Sequence, residues 1–271
     1  MRDIDLAEMA AALLDDMLED SRPLHGGDLS RVVRLRMLSG REAVVKNGPA
    51  PMVEAGMLRA IRAVGVAAPE VLACSPEVLV LELLPEYGAL DGQGWADLGS
   101  ALRQLHSAEG PYFGWVEDYA FGQLAIPNAR LPDWPAFWAE RRLSPALPEL
   151  PPGLAVRLKN LMRDLPNRLP ARPPASLLHG DLWTGNLLVD RGRLSGLIDP
   201  ACYYGHGEVD LAMLNLFGST GAGFIEAYGN LEPGWEERRA IYQLWPALVH
   251  FRLFGSGYRS MVSGLLDRLG V

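Results

Sequence analysis

The stretch from Leu177 to Pro200 constrains the fold of this chain more than any other. It reads LLHGDLWTGNLLVDRGRLSGLIDP. Two short apolar arms, residues 187–189 and 194–198, flank the polar sequence 190–193, a pattern typical of a β-hairpin with a tight turn. Because the arms have similar lengths, the residue before the first arm and the residue after the second are predicted to meet at one end of the hairpin.

Those two positions carry oxygen ligands. Asn186 stands directly before the first arm and Asp199 directly after the second. Asp181 precedes Asn186 by five residues in a glycine-containing loop and is expected near the same spot. An amide and carboxylates brought together in this way suit Mg²⁺. Phosphoryl transfer uses such a set, one carboxylate for the attacking hydroxyl and further oxygens for the metal. Asp181 by itself is also compatible with an ordinary turn residue.

The N-terminal part offers partners for nucleotide phosphates. Gly26 and Gly27 form a glycine turn just before a predicted hairpin of residues 31–46, and Lys46 ends its second strand. Glu54 begins the next predicted helix, where it is able to pair with Lys46. A cation and a backbone-rich loop over the phosphates are what phosphoryl transfer requires. The alternatives are a solvated lysine at a strand end and a first-turn acid stabilised by the helix dipole.

The order of these features resembles the protein-kinase-like fold in its aminoglycoside phosphotransferase branch: a glycine turn, a strand lysine, a helix glutamate, HGDxxxxN and a hydrophobic residue followed by Asp. More narrowly, the chain resembles the fructosamine kinase (ketosamine-3-kinase) family from about Gly26 to Tyr258. The blocks that carry the resemblance are LLHGDLWTGNLL, IDPACYYGHGEVDLAM, FGWVEDYAFG, DWPAFWAERRLSP and YQLWPALVHFRLFGSGY.

The resemblance implies an ATP- and Mg²⁺-dependent kinase for the sugar hydroxyl of a ketosamine such as a fructosamine or ribulosamine. Asp181 is then the catalytic base for direct in-line transfer, and Asn186 and Asp199 are the Mg²⁺ ligands.

The same resemblance implies a nucleotide clamp made of Lys46 and Glu54, with Gly26 and Gly27 near the phosphates. Backbone groups near Glu82 and Leu84 are expected to meet the adenine. Trp183, in the loop beside the base, is expected to stack on or wall the substrate, although an aromatic residue there is as often a space-filling one.

Two positions depart from the family pattern. Tyr119 follows Asp118 where relatives often have Asn, and Gly207 precedes Glu208 where relatives often have Arg. The second change removes a possible structural ion pair or alters how the substrate is recognised.

The expected fold is α+β and bilobal, with a small antiparallel β-sheet lobe in residues 1–85 and a larger, mainly helical lobe in residues 86–271. Helical spacing predicts helices over 5–18, 54–64, 95–106, 154–165, 235–254 and 258–269. Residues 78–84 are predicted to form a buried strand, and residues 111–152 an irregular region with a short helix near 134–142. Trp134, Trp138, Phe251 and Phe254 are predicted core residues.

Charge and cysteine content limit the alternatives. The 33 acidic and 25 basic side chains give a formal charge of −8, which argues against a nucleic-acid-binding protein. Two cysteines rule out a disulfide framework. No apolar run is long enough to span a bilayer. We therefore expect a cytoplasmic monomer or homodimer that acts on a small-molecule or glycated-amine substrate, without nucleic-acid or membrane partners.

Two rival functions stay open. One is a kinase of the same fold with another acceptor, such as an aminoglycoside, choline or a homoserine-like alcohol. The other is a catalytically inactive nucleotide-binding module, although no catalytic or metal residue is missing. His179, His106 and His206 match no zinc-ligand spacing, and structural roles are expected for them.

Overall fold

A computed structural model describes residues 2–24 and 30–271. The predicted glycine turn at Gly26 and Gly27 lies outside the described residues. The N-terminal part contains a five-stranded antiparallel sheet in the order β1-β2-β3-β5-β4. Its strands are β1 (Leu18–Leu24), β2 (Val32–Met37), β3 (Glu42–Lys46), β4 (Val71–Cys74) and β5 (Leu79–Glu82). Two helices accompany it, α1 (Asp3–Leu13) and α2 (Pro51–Ala63).

Strand β2 shows how the alternating pattern places side chains. Val33, Leu35 and Met37 are buried beneath α1, while Arg34 and Arg36 point to the other face and are exposed. This is the period of two that a half-buried strand requires. The predicted hairpin of β2 and β3 is confirmed.

The predicted N-terminal helix is too long. It ends at Leu13, and Leu18 already begins β1, which pairs with β2. Asp15 breaks the helix with φ of 52°, in the left-handed region. Pairing of the edge strand outweighs the helical spacing of the apolar residues, because propensity is weaker than tertiary context. Strand β4 was also not predicted, since its four residues carry no alternation.

The larger C-terminal part is mainly helical. Its helices are α3 (Gly92–His106), α4 (Trp134–Phe137), α5 (Pro152–Arg168), α6 (Glu208–Leu214), α7 (Phe224–Tyr228), α8 (Trp235–Phe254) and α9 (Arg259–Arg268). After α4 the chain continues as a π-helix, Trp138–Leu143, and a 3₁₀-helix, Ser144–Glu149. The predicted long helices of the tail are confirmed, and α8 has the predicted bounds.

Three two-stranded sheets complete this part. They pair β6 (Tyr119–Phe121) with β7 (Leu124–Ile126), β8 (Ser176–Leu178) with β11 (Tyr203–Gly205), and β9 (Leu187–Asp190) with β10 (Arg193–Leu197). The β9–β10 pair is the predicted hairpin. The β6–β7 hairpin lies in the region expected to be irregular, because three-residue strands give too short a pattern to detect.

The sheet part and the helical part pack together at α2 and at the segment that follows it. The Cys202 N–H contacts Sδ of Met57 at 3.3 Å, and the Leu197 N–H donates to the carbonyl of Ala67 at 2.9 Å. Apolar residues of α2 thereby belong to the same core as the C-terminal helices. The α+β, bilobal architecture is confirmed, while the boundary at residues 85 and 86 stays a prediction. Within the described ranges, no helix has both the length and the apolar character needed to cross a membrane.

Candidate active site

The loop after β8 is held in an unusual conformation by glycine. Gly180 has φ of +81°, and a Cβ atom there would overlap the carbonyl oxygen of Ala201. Only glycine meets both conditions without strain. The backbone turn that Gly180 allows directs residue 181 into the cleft at the end of the hairpin.

Asp210 of α6 holds the loop after β8 in place by accepting hydrogen bonds from its backbone. Its carboxylate accepts hydrogen bonds from the N–H groups of His179 at 2.7 Å and of Gly180 at 2.9 Å. It also contacts Nε2 of His106 at 3.1 Å. Burial opposes ionisation of Asp210, yet these hydrogen bonds outweigh burial and lower its pKa. Asp210 was not predicted as a site residue from the sequence. It belongs to the block IDPACYYGHGEVDLAM, which carries the family resemblance, and that membership could have indicated it.

Asp181 and Asn186 meet directly. Nδ2 of Asn186 donates to the backbone carbonyl of Asp181 at 2.7 Å and to its Oδ2 at 3.2 Å. Burial raises the pKa of Asp181 to about 7, and the negative charge of Asp199 acts in the same direction. A carboxylate with such a pKa is suited to accept a proton near neutral pH.

The hairpin brings Asn186 and Asp199 to the same end, as its arm lengths predict. The N–H of Ile198 donates to the carbonyl of Asn186 at 3.0 Å. Asp199 has φ of 54°, a left-handed conformation that is uncommon for a residue with a side chain. Strain of this kind is typical of functional sites.

Lys46 connects the sheet to this cluster. Its Nζ lies 3.0 Å from Oε1 of Glu54 and 2.5 Å from Oδ1 of Asp199. Lys46 and Glu54 are almost fully buried. Burial disfavours the charged lysine, but the carboxylates of Glu54 and Asp199 outweigh it and raise its pKa. The ammonium is therefore a fixed positive charge in the cleft.

Tyr119 of β6 completes the environment of Glu54. Its hydroxyl donates to Oε2 of Glu54 at 3.2 Å, so each carboxylate oxygen of Glu54 has a partner. Burial raises the pKa of Tyr119 well above its ordinary value, which keeps the hydroxyl protonated. Tyr119 was noted in the sequence only as a departure, and its contact with Glu54 was not predicted.

The histidines have structural partners, as expected. Nε2 of His179 lies 3.0 Å from the carbonyl of Ile198, and burial lowers the pKa of His179. Nδ1 of His106 contacts the hydroxyl of Tyr228 at 3.0 Å, and Nδ1 of His206 contacts that of Tyr242 at 2.8 Å.

Gly207, the second departure from the family pattern, precedes a glutamate that has an arginine partner elsewhere in the chain. Glu208 pairs with Arg238, whose Nε and Nη2 lie 2.7 Å and 2.5 Å from the two carboxylate oxygens. His206, Glu208 and Glu232 are close enough to share an ion, but Arg238 already balances Glu208. A Cβ at position 207 would lie 3.0 Å from Nδ1 of His106.

One cavity of about 670 Å³ adjoins the cluster of Lys46, Glu54, Tyr119, Asp181, Asn186 and Asp199, all of which line it. Trp183 lines it, half-exposed, with its ring lying over Gly185. Glu82 and Leu84, although within the described residues, do not line this cavity. The lining residues are Ser30, Lys46, Gly48, Pro49, Glu54, Tyr119, Ala120, Phe121, Gly122, Asp181, Trp183, Thr184, Asn186, Asp199, Met213, Phe217, Val249, His250, Leu253, Phe254 and Tyr258.

Part of this lining corrects the predicted core. Trp134 and Trp138 are fully buried as expected, but Phe251 is only partly buried and Phe254 is 46% exposed. The prediction for Phe254 was wrong because the apolar face at the end of α8 points into the cavity.

Comparison with solved structures defines the class of fold. A macrolide 2′-phosphotransferase from Brachybacterium faecium, 19% identical, superposes with a TM-score of 0.62 over 97% of this chain and 98% of that one. At this identity the fold alone is shared, and it is kinase-like.

The family to which the chain belongs is a narrower group than this class of fold. The fructosamine kinase family model matches residues 7–270. A probable ketoamine kinase of Thermus thermophilus is 39% identical over 87% of this chain and 88% of its own length. The structure of a candidate fructosamine-3-kinase from Thermobifida fusca is 27% identical, with a TM-score of 0.84 over 97% of each chain. This chain belongs to the fructosamine kinase family, as its motifs predicted. Its matches to two further relatives, the probable ketoamine kinases of Synechocystis and Enterococcus faecium, span 66% and 65% of the length of those proteins.

Proposed function

We propose that this chain is an ATP-dependent kinase that phosphorylates the 3-hydroxyl of a ketosamine, such as a fructosamine or ribulosamine. Family membership supports the use of ATP and of glycated-amine substrates. The observation that carries the proposal is the meeting of Lys46, Glu54, Asp181, Asn186 and Asp199 around one cavity.

Asp181 is the proposed catalytic base. The acceptor hydroxyl donates to its carboxylate, and the hydroxyl oxygen forms a bond to the γ-phosphorus of ATP. The bond from that phosphorus to the β–γ bridging oxygen breaks, ADP leaves, and the proton passes to Asp181. The Asn186 amide donates a hydrogen bond to the Asp181 carboxylate and holds it in one orientation. Such transfer depends mainly on positioning and charge.

Lys46 is the proposed phosphate-binding cation. Glu54 fixes it from α2, so its ammonium is held in place before a nucleotide binds, and no reorganisation is needed during the reaction. Gly26 and Gly27 near the phosphates, and the backbone near Glu82 and Leu84 at the adenine, stay part of the proposal.

The donor set fits Mg²⁺. Asn186 and Asp199 present an amide oxygen and a partly exposed carboxylate at one end of the hairpin, and hard oxygen ligands are what Mg²⁺ takes. When bound, the ion would neutralise charge on the nucleotide phosphates. Asn186 and Asp199 are the residues that would hold it.

The test is an acceptor screen with the purified full chain. ADP release is measured with fructosamines and ribulosamines, aminoglycosides, choline and homoserine, each with Mg²⁺ and ATP. We expect turnover with a ketosamine and a product that carries phosphate at O3, located by ³¹P–¹H NMR. Turnover with another alcohol alone would support a different acceptor. Tight nucleotide binding without turnover of any acceptor would support an inactive module.

A further inference from the structure

The cavity is lined by two chemically distinct sets of side chains. Among the residues that the structure describes, its formally charged lining side chains are Lys46, Glu54, Asp181 and Asp199, which cluster around the proposed transfer site. The remaining lining is mostly apolar and aromatic. The aromatic wall, as we call it, consists of Trp183, Phe217, His250, Phe254 and Tyr258.

The C-terminal end of α8 contributes His250 and Phe254 to this wall. Val249, His250, Leu253 and Phe254 recur at the spacing that places side chains on one helix face, and all four line the cavity. The hydrophobic residues of such a face normally pack into a core. Here Phe254 remains about half exposed, as do Phe217 and Trp183.

Four rings of the wall support one another. The ring centre of His250 lies 5.0 Å from that of Phe217, 5.6 Å from that of Phe254 and 5.1 Å from that of Tyr258. Nδ1 of His250 donates to the carbonyl of Pro246 at 2.8 Å, which holds the ring in one orientation. The rings thus form a preorganised surface.

Such a surface favours one class of substituent. Exposed aromatic residues gathered in a cavity are typical of a site for apolar ligands. Aromatic faces also attract ammonium groups. In a ketosamine the amine nitrogen is bonded to C1, a few bonds from the hydroxyl whose proton Asp181 would accept. This nitrogen is a secondary ammonium group at neutral pH. Its substituent therefore extends from the transfer site into the rest of the cavity.

We propose that the aromatic wall selects ketosamines whose amine carries an apolar or aromatic substituent. This inference rests on the proposed function and adds the substrate class. A carboxylate-bearing substituent is disfavoured, because the described wall offers no lysine or arginine to receive it.

The test compares fructosamines that share the sugar and the ammonium group. The adduct of 2-phenylethylamine differs from that of ethylamine only by its phenyl ring, and the adduct of glycine carries a carboxylate. We expect kcat/KM for the phenyl adduct to exceed that for the ethyl adduct about 10-fold or more, the effect of burying a ring. The glycine adduct is expected to be the poorest of the three.

Variants locate the effect. Phe217→Ala and Phe254→Ala are expected to bring the phenyl-to-ethyl ratio of kcat/KM close to one, chiefly by lowering kcat/KM for the phenyl adduct. Ile225→Ala is the matched control, since Ile225 is as exposed as Phe254, 46% for each, but lies outside the cavity. It should keep the wild-type ratio. Unfolding curves confirm that each variant is folded.

The outcomes separate the two proposals. Equal kcat/KM for the phenyl and ethyl adducts, preference for the glycine adduct, or an unchanged ratio in both phenylalanine variants overturns the inference while the kinase activity stands. Turnover of none of the three adducts contradicts the proposed function and the inference with it.

Discussion

The hydroxyl of Tyr119 donates to Oε2 of Glu54, while Lys46 holds Oε1 of the same carboxylate. The β6–β7 hairpin of the helical part thereby fixes an ion pair that joins α2 to the sheet. We therefore expect the orientation of the Lys46 ammonium to depend on Tyr119, which is far from Lys46 in sequence.

Tyr119→Phe tests this dependence. The change leaves Oε2 of Glu54 buried without its donor, at a cost of about 1–3 kcal/mol. We expect kcat/KM for ATP to fall about 10-fold, with KM for the acceptor nearly unchanged. Tyr87→Phe removes a hydroxyl from a side chain that is 75% exposed and serves as the control. Equal loss for both substrates in Tyr119→Phe would mean a general structural role.

Asp199→Asn tests the proposed metal ligands. It removes a charged oxygen ligand and one partner of Lys46, so the Kd for Mg²⁺-ATP, measured by calorimetry, is expected to rise about 10-fold or more. Nucleotide binding in the presence of EDTA should change less. Asp190→Asn, at the opposite end of the hairpin, is the control. Unchanged Mg²⁺-ATP affinity in Asp199→Asn would count against the assignment.

Gly180→Ala tests the conformation of the loop. The added Cβ meets the carbonyl of Ala201, at a backbone angle that disfavours side chains. The free energy of unfolding is expected to fall by about 3 kcal/mol. Gly264→Ala, in α9 with open space around the new Cβ, should instead stabilise by up to about 1 kcal/mol. Urea denaturation measures both, and native stability of Gly180→Ala would refute the strained turn.

His206 makes stability depend on pH. Burial lowers its pKa to about 3, and the nearby charge of Arg238 acts in the same direction. In the unfolded chain its pKa is about 6.5. Between these values the unfolded state binds more protons, so stability falls as the pH drops below about 6.5. The contribution of His206 at pH 5 is a loss of about 2 kcal/mol relative to pH 7.5.

Unfolding experiments at several pH values check this dependence. His206→Gln removes the titrating ring, and its stability is expected to decline less steeply between pH 7.5 and 5 than that of the wild type. An identical decline in both proteins would show that other groups are responsible.

The amino-acid sequence alone predicted the structural features that depend on a local pattern of residues. The hairpin that joins Asn186 to Asp199 followed from two apolar arms around a polar turn, and α8 followed from helical spacing. The pairing of Lys46 with Glu54 followed from the order of motifs. Each of these relations is encoded within a short segment or a recognisable succession of segments.

The missing parts depend on contacts between distant segments. Tyr119 reaches Glu54 across 65 positions, and Asp210 supports the loop at His179 across 31. No local pattern reveals such partners. The apolar spacing of α8 predicted that Phe254 is buried. The prediction failed because periodicity shows which side chains share a helix face but not whether that face meets a core or a cavity.

The proposed function depends most on Asp181 as the group that accepts the proton of the acceptor hydroxyl. Asp181→Asn keeps the shape of the side chain and removes the base. The most direct measurement is kcat with a ketosamine acceptor, together with the Kd for Mg²⁺-ATP of the same variant. We predict that kcat falls about 10³-fold while nucleotide affinity changes less than about threefold. Full kcat in Asp181→Asn would contradict it.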